Sequence, residues 1–195
     1  MRVFITVLVL IFSLQSWTKA DDISDFEIEG MSVGDSLFEH FSKNEIKDAL
    51  NNPTYYKDKS FVEIFLNKKD SNFDYLQIAL QTKDQSYKIE KIMLLKDFSN
   101  QIENCKKFKK ELINESLEFL INAERIDGEK KAAADPSGKS YIYISSFYLP
   151  SGGIFNFTCT DYDQEIIKKH GWFDSFKVSI GSKEMAEYLN SGRAY

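Results

Sequence analysis

Apolar and polar side chains alternate with a period of two along several stretches of this chain, the pattern of half-buried β-strands. Over 61–66, Val62, Ile64 and Leu66 share one face. Over 75–82, Leu76, Ile78 and Leu80 oppose Tyr75, Gln77 and Gln81. A third strand is predicted over 87–95. Short polar runs at 68–72 and 83–86 separate these segments, so they form an antiparallel meander. Three more strands are predicted over 141–148, 154–160 and 176–180, with Phe155, Phe157 and Cys159 on one face of the second. Leu149-Pro150-Ser151-Gly152-Gly153 turns between the first two. A short strand with one wet face is expected over 25–29, where charged and apolar residues alternate up to Gly30.

The period changes over 99–121. Ile102, Cys105, Phe108 and Leu112 recur at helical spacing, and Ile113, Leu117 and Leu120 widen the stripe. Lys106, Lys107, Lys109, Lys110 and Glu111 fill the wet face, and Ser99 is placed to cap the helix. Shorter helices follow from capping spacings, in which a hydroxyl accepts from the first turn and an acid sits near the positive helix end. Ser32 with Asp35 predicts a helix start whose face carries Val33, Leu37 and Phe41. Ser42 with Glu45 predicts another, carrying Ile46 and Leu50 and stopped at Asn51-Asn52-Pro53. Ser182 caps a terminal helix through Leu189, ended by Gly192. The stretch from Glu124 to about residue 140 is polar and punctuated by Gly128, Pro136 and Gly138, and is expected to be an exposed loop. The predicted fold class is α+β: an antiparallel sheet with a long helix packed on one face and short helices near both ends.

The chain start adds a compartment. Arg2 precedes an apolar run at 3–14, too short to span a bilayer, and a polar stretch ends at Ala20. Residues 1–20 therefore read as a signal peptide cleaved before Asp21, leaving 21–195 as a single domain. No cysteine follows the apolar run to accept a lipid, and no second long apolar run follows. The chain carries 25 basic and 30 acidic side chains; loss of Arg2 and Lys19 with the leader takes the net charge from −5 to −7. That balance disfavours nucleic acid and anionic membrane as partners. Cys105 and Cys159, an even pair in an exported chain, are expected to form a disulfide. Closing a loop of about 55 residues stabilises by about 4 kcal/mol in the chain-entropy account.

One tetrapeptide suggests chemistry. Gly34-Asp35-Ser36-Leu37 spells the nucleophile block of the GDSL esterases and lipases. A serine hydroxyl becomes a nucleophile only with a histidine to take its proton and donors to hold the oxyanion. The histidines available are His40, one helical turn beyond Ser36, and His170. His170 follows Ile167-Lys168-Lys169, so the family's late Asp-x-x-His is absent, and the strand-after-strand order does not give that family's parallel sheet. The tetrapeptide is read as the first turn of a helix. Other patterns give less. Gly152-Gly153 is a hairpin turn with no lysine or helix start behind it. Asp161-Tyr162-Asp163 is not a calcium loop. Lys106-Lys107-Phe108-Lys109-Lys110 reads as a solvated helix face with Phe108 inward. His170-Gly171-Trp172-Phe173 reads as an edge plug, and the sequons at Asn114 and Asn156 fall inside regular elements. No cofactor and no metal set is indicated.

Two stretches together, 23–37 and Trp172-Phe173-Asp174-Ser175-Phe176-Lys177-Val178-Ser179-Ile180 with its closing helix, resemble a family of small, uncharacterised exported (periplasmic) proteins of marine alphaproteobacteria. The resemblance spans most of the chain and implies a periplasmic address; it carries over no functional residue. The stretch Ile28-Glu29-Gly30-Met31-Ser32 is also similar to the helix start of small outer-membrane assembly lipoproteins, whose lipid-bearing cysteine this chain lacks. The reading from sequence is an exported, non-enzymatic protein, periplasmic or secreted. It would bind an unknown protein or small molecule of the cell envelope through its sheet or the 124–139 loop, helped by its 16 Phe and 10 Tyr. The alternative is an esterase-like hydrolase using Ser36 with His40 or His170.

Overall fold

The computed structural model describes residues 22–67, 71–133 and 135–194, so the expected signal peptide and part of the 68–72 turn lie outside the described residues. Ten strands are present among these residues. β1 (Glu27–Ile28) and β2 (Met31–Ser32) form a small hairpin. The other eight are β3 (Thr54–Tyr55), β4 (Phe61–Leu66), β5 (Tyr75–Gln81), β6 (Ile89–Asp97), β7 (Glu124–Lys131), β8 (Tyr141–Tyr148), β9 (Ile154–Asp161) and β10 (Ser175–Gly181). They build one antiparallel sheet in the order β3-β4-β5-β6-β10-β9-β8-β7. One meander runs from β3 to β6 and another from β7 to β9. The last strand, β10, lies between β6 and β9 and joins the two. The helices are α1 (Lys43–Ala49), α2 (Ile102–Ser116), α3 (Gln164–His170) and α4 (Lys183–Asn190). The α+β class and the long helix against the sheet are as the hydropathy pattern predicts.

Alternation explains which side of each strand is dry. Val62, Ile64 and Leu66, Leu76, Ile78 and Leu80, Ile92 and Leu94, and Phe155, Phe157 and Cys159 all turn to one face and are buried. Full burial of a side chain such as Ile64 or Ile78 contributes about 2 kcal/mol. α2 lies on this face against β9 and β10, and Cys105 on its first turns is disulfide-bonded to Cys159. Phe108 packs on Phe98 and Phe176, with ring centroids at 5.6 and 5.0 Å. The N-terminal hairpin adds Phe26, Ile28 and Met31 to the same core, and α1, with the predicted capping box at Ser42 and Glu45, rests on β4.

Four expectations are corrected. First, the segment after Ser32 is not a regular helix. Asp35 does accept from the Ser32 N–H at 2.8 Å, but Gly34 sits at φ +101°, outside helical space, and the following backbone pairs with β6 instead. Gly34 N–H donates to Ile89, Ile89 N–H to Asp35 and Leu37 N–H to Tyr87, leaving one 3₁₀ turn at Leu37–Glu39. Second, Glu124–Lys131 is strand β7 and not loop; of the described residues that follow, 132, 133 and 135–140 lie outside the strands, and Asp135 there accepts from the backbone of Ser137, Lys139 and Ser140. An outer strand with both faces wet leaves no alternation to read. Third, α3 is an additional helix, capped by Asp163 through the Glu165 N–H and ended by Gly171 at φ +68°. Fourth, the long helix starts at Ile102, because Ser99 turns to Asp97 rather than capping it, and its lysines are not all free in water. Lys106 lies 4.0 Å over the Tyr143 ring, and Lys109 donates to the Tyr143 carbonyl at 3.0 Å.

A bulge shapes the second face. Between β5 and β6 the register shifts at Ala79/Leu80, so Glu90 is the extra residue opposite the partner strand. Its carboxylate is fully buried and holds the start of α4: it accepts from the Ser182 hydroxyl, from Gln81 Nε2 at 3.0 Å and from Lys88 Nζ at 3.1 Å. The Ser182 N–H also donates to the Glu90 carbonyl at 2.8 Å. α4 then buries Met185 and Tyr188 on Phe61 and Ala79, closing one end of the face opposite α2.

Candidate functional site

Beyond α4 the second face of the sheet is partly exposed, although Gln77, Leu95 and Ser179 are buried on it. Met93, Lys177, Asn156, Thr158 and Ile144 are half-buried there, and Phe65 and Tyr75 are exposed at its flank. Phe173, just before β10, borders the far end at 5.7 Å from the Tyr75 ring. Register brings polar residues of separate strands to the middle of this surface. Glu63 on β4 lies opposite Ala79 of β5, which lies opposite Lys91 of β6, which lies opposite Gly181 of β10. Ala79 and Gly181 have no long side chains, so Lys91 can cross β5 to reach Glu63.

It does so at 2.6 Å from Glu63 Oε1, with Lys91 Nζ also donating to the Tyr56 hydroxyl at 3.1 Å. The Tyr56 O–H donates to the same carboxylate oxygen, and Gln77 Nε2 donates to Oε2 at 2.8 Å. The ion pair is only 12–13% exposed. Burial alone would raise the Glu63 carboxyl; the Lys91 charge and these hydrogen bonds outweigh it and hold the group below its usual range. Burial likewise opposes the Lys91 ammonium, and Glu63 overcomes it and raises that group. Tyr56 is pushed well up, chiefly by burial. Both carboxylate oxygens of Glu63 and the Lys91 ammonium thus have hydrogen-bond partners, as a buried ion pair requires.

Lys177 of β10 is the member left over. It lies opposite Leu95 and Thr158 on the same face, close enough to feel both Lys91 and Glu63. Among the described residues its ammonium has no hydrogen-bond or ion-pair partner. Burial first, and the Lys91 charge second, lower its affinity for a proton. The centre of this partly exposed face therefore holds two lysines and one carboxylate, a local excess of positive charge on an acidic chain. Sequence reading did not find these residues. Glu63 stands alone among Phe61, Val62, Ile64, Phe65 and Leu66, and Lys177 stands between Phe176 and Val178. An isolated charge in a run apolar on both faces was the available signal.

The structure does not bring the serine hydrolase candidates together. Ser36 precedes the 3₁₀ turn, and its hydroxyl donates to the Ser86 carbonyl at 2.8 Å. His40 Nε2 bonds to Asp35 Oδ2 at 2.9 Å. His170, at the end of α3, is stacked 4.7 Å from Trp172, which in turn lies 5.2 Å from Tyr162. Among the described residues neither imidazole is hydrogen-bonded to Ser36. Of the Asp161-Tyr162-Asp163 group, Asp163 is the α3 cap. No group of three or more His, Cys, Asp or Glu side chains placed to hold a metal occurs among the described residues. No helix among them is long and apolar enough to cross a membrane. Compared with family models, curated proteins and solved structures, the chain matches none.

Proposed function

We propose that this protein is a non-enzymatic binding protein of an oxidising, extracytoplasmic compartment. In this reading it takes a ligand or partner segment bearing an anionic group on the partly exposed second face of its sheet. The observation that carries the reading is Lys177: a half-buried lysine that, among the described residues, has no hydrogen-bond or ion-pair partner, on the same face as the Glu63–Lys91 pair. A buried cation without a partner costs stability, and an incoming carboxylate or phosphate would remove that cost. Exposed Phe65 and Tyr75 offer apolar and aromatic contact at the flank. The Cys105–Cys159 disulfide suits the compartment and the expected leader.

The test is thermal melting of the mature protein with three probes: laurate, glycerol 3-phosphate and an acidic peptide. The expected result is a rise in Tm with one of them, lost in Lys177→Met. No rise with any of the three, or an equal rise in Lys177→Met, would overturn the reading.

A further inference from the structure

The outer edge of β7 is long and regular, and no strand among the described residues pairs with it. Sheet edges are commonly blunted by shortness, proline or a bulge. The opposite edge strand, β3, is two residues long. β7 runs eight residues with neither proline nor register shift, and every one of them is exposed. Its three acids, Glu124, Asp127 and Glu129, are balanced by Arg125, Lys130 and Lys131, so this edge is neutral on a chain of net charge −5.

The phase of the ladder shows which groups point outward. The Ala132 N–H donates to the Ser140 carbonyl, the pair directly after Lys131 and Tyr141. Even-numbered residues therefore bond to β8, and Arg125, Asp127, Glu129 and Lys131 turn their N–H and C=O groups away from the sheet. The Leu149 N–H to Gly153 bond on the other side of β8 has the matching phase. When two copies of an edge pair antiparallel about a two-fold axis, opposed residues must both point outward or both inward. The axis must then pass through a residue, which leaves few registers.

With the axis at Asp127, Arg125 faces the partner's Glu129 and Glu124 faces the partner's Lys130, each pair occurring twice by symmetry. Ile126, 51% exposed, lies over the partner's Gly128, whose missing side chain makes room for it. The two Asp127 carboxylates meet at the axis, but each is already held by its own Arg125 at 3.0 Å and by the Ser145 hydroxyl. With the axis at Gly128, Arg125 would face the partner's Lys131 and Asp127 the partner's Glu129, like against like. With the axis at Ile126, only Arg125 and the partner's Asp127 would pair by charge, and the end of β7 would run past the partner's strand. We infer that β7 is a homodimerisation edge, joining two copies through Arg125, Asp127 and Glu129 into one continuous sheet about a two-fold axis at Asp127.

Sedimentation equilibrium of the mature protein tests this. The expected result is a reversible dimer whose dissociation constant rises about tenfold or more in Arg125→Glu and in Glu129→Arg, and returns toward the wild-type value in the double variant. Arg125 also packs over the Phe147 ring, whereas no such contact constrains Glu129, so the second single variant separates loss of pairing from loss of fold. A protein that sediments as a monomer up to about 1 mM, a dimer indifferent to both single changes, or a double variant that stays dissociated would each overturn the inference.

Discussion

Glu63 and Glu90 are both buried carboxylates on the same sheet, each paired with a lysine, yet they end differently. Glu90 is raised out of the ladder by a bulge and covered by α4, and its partners Ser182, Gln81 and Lys88 complete a closed joint between strand and helix. Glu63 is held by Tyr56, Gln77 and Lys91, with α4 touching the cluster only through Tyr188 on Tyr56, and Lys177 on the same face has no hydrogen-bond or ion-pair partner among the described residues. A buried charge that is matched and covered holds a fold together. A lysine without a partner on a less covered face is the feature on which the proposed binding role rests.

The largest effect should come from breaking the Glu63 cluster. Glu63→Leu leaves Lys91 and Lys177 together without a carboxylate, and should cost about 3–5 kcal/mol by urea unfolding. A loss under about 1 kcal/mol would mean that water reaches Lys91 freely. Acid should act in the same direction. The Glu63 carboxyl is held down in the folded state, so its contribution is present above about pH 4.3 and disappears as pH falls through the lower folded value. The acid limb of stability should be shallower in Glu63→Gln.

Glu90→Gln should cost less, about 1–3 kcal/mol, because the amide keeps part of the contact with Ser182. Its distinguishing mark is local: amide exchange in α4, at Met185 to Leu189, should accelerate more than in β9. Uniform acceleration would deny the joint its special hold on that helix.

Lys177→Met should change stability in the opposite direction, by about +1 kcal/mol, since it removes an unmatched cation. Alkaline pH sharpens the contrast. The folded-state value of Lys177 lies below its unfolded value of about 10.4, so the unfolded chain holds more protons between the two and stability rises with pH across that window. The rise should vanish in Lys177→Met. Destabilisation by this substitution would assign Lys177 to the fold, like Glu90.

The smallest effect should be at Ser36. Ser36→Ala removes one exposed hydrogen bond and should cost about 1 kcal/mol or less. A fluorophosphonate probe should label neither form; labelling that disappears with the substitution would put the hydrolase alternative ahead of the binding reading.

Most strands are legible in the amino-acid pattern because one of their faces is dry. Val62, Ile64 and Leu66 mark β4 as plainly as Phe155, Phe157 and Cys159 mark β9. β7 is hidden because neither of its faces is dry. α3 is hidden by its shortness, although Asp163 at its start and Gly171 at its end are the ordinary marks of a helix. Val33, Leu37 and Phe41 suggest a helical stripe, and Val33 and Leu37 are indeed buried, but Gly34 and the claim of β6 on that backbone prevent the helix. The candidate site is the least legible part. Glu63, Lys91 and Lys177 come from three strands far apart in sequence, and only the sheet register, with Ala79 between Glu63 and Lys91 and Lys177 opposite Leu95, puts them on one face.

The position of β10 has a consequence in time. Its neighbours β6 and β9 are both made before it, yet neither meander touches the other along a strand until β10 lies between them. A ribosome delivers the keystone of this arch after every other strand. Until then the inner edges of β6 and β9 lack the strand that pairs with both, and the core between the two meanders is unfinished. Closure of the sheet therefore waits for β10, whose Phe176 lies opposite Cys159, the strand partner of the disulfide with Cys105.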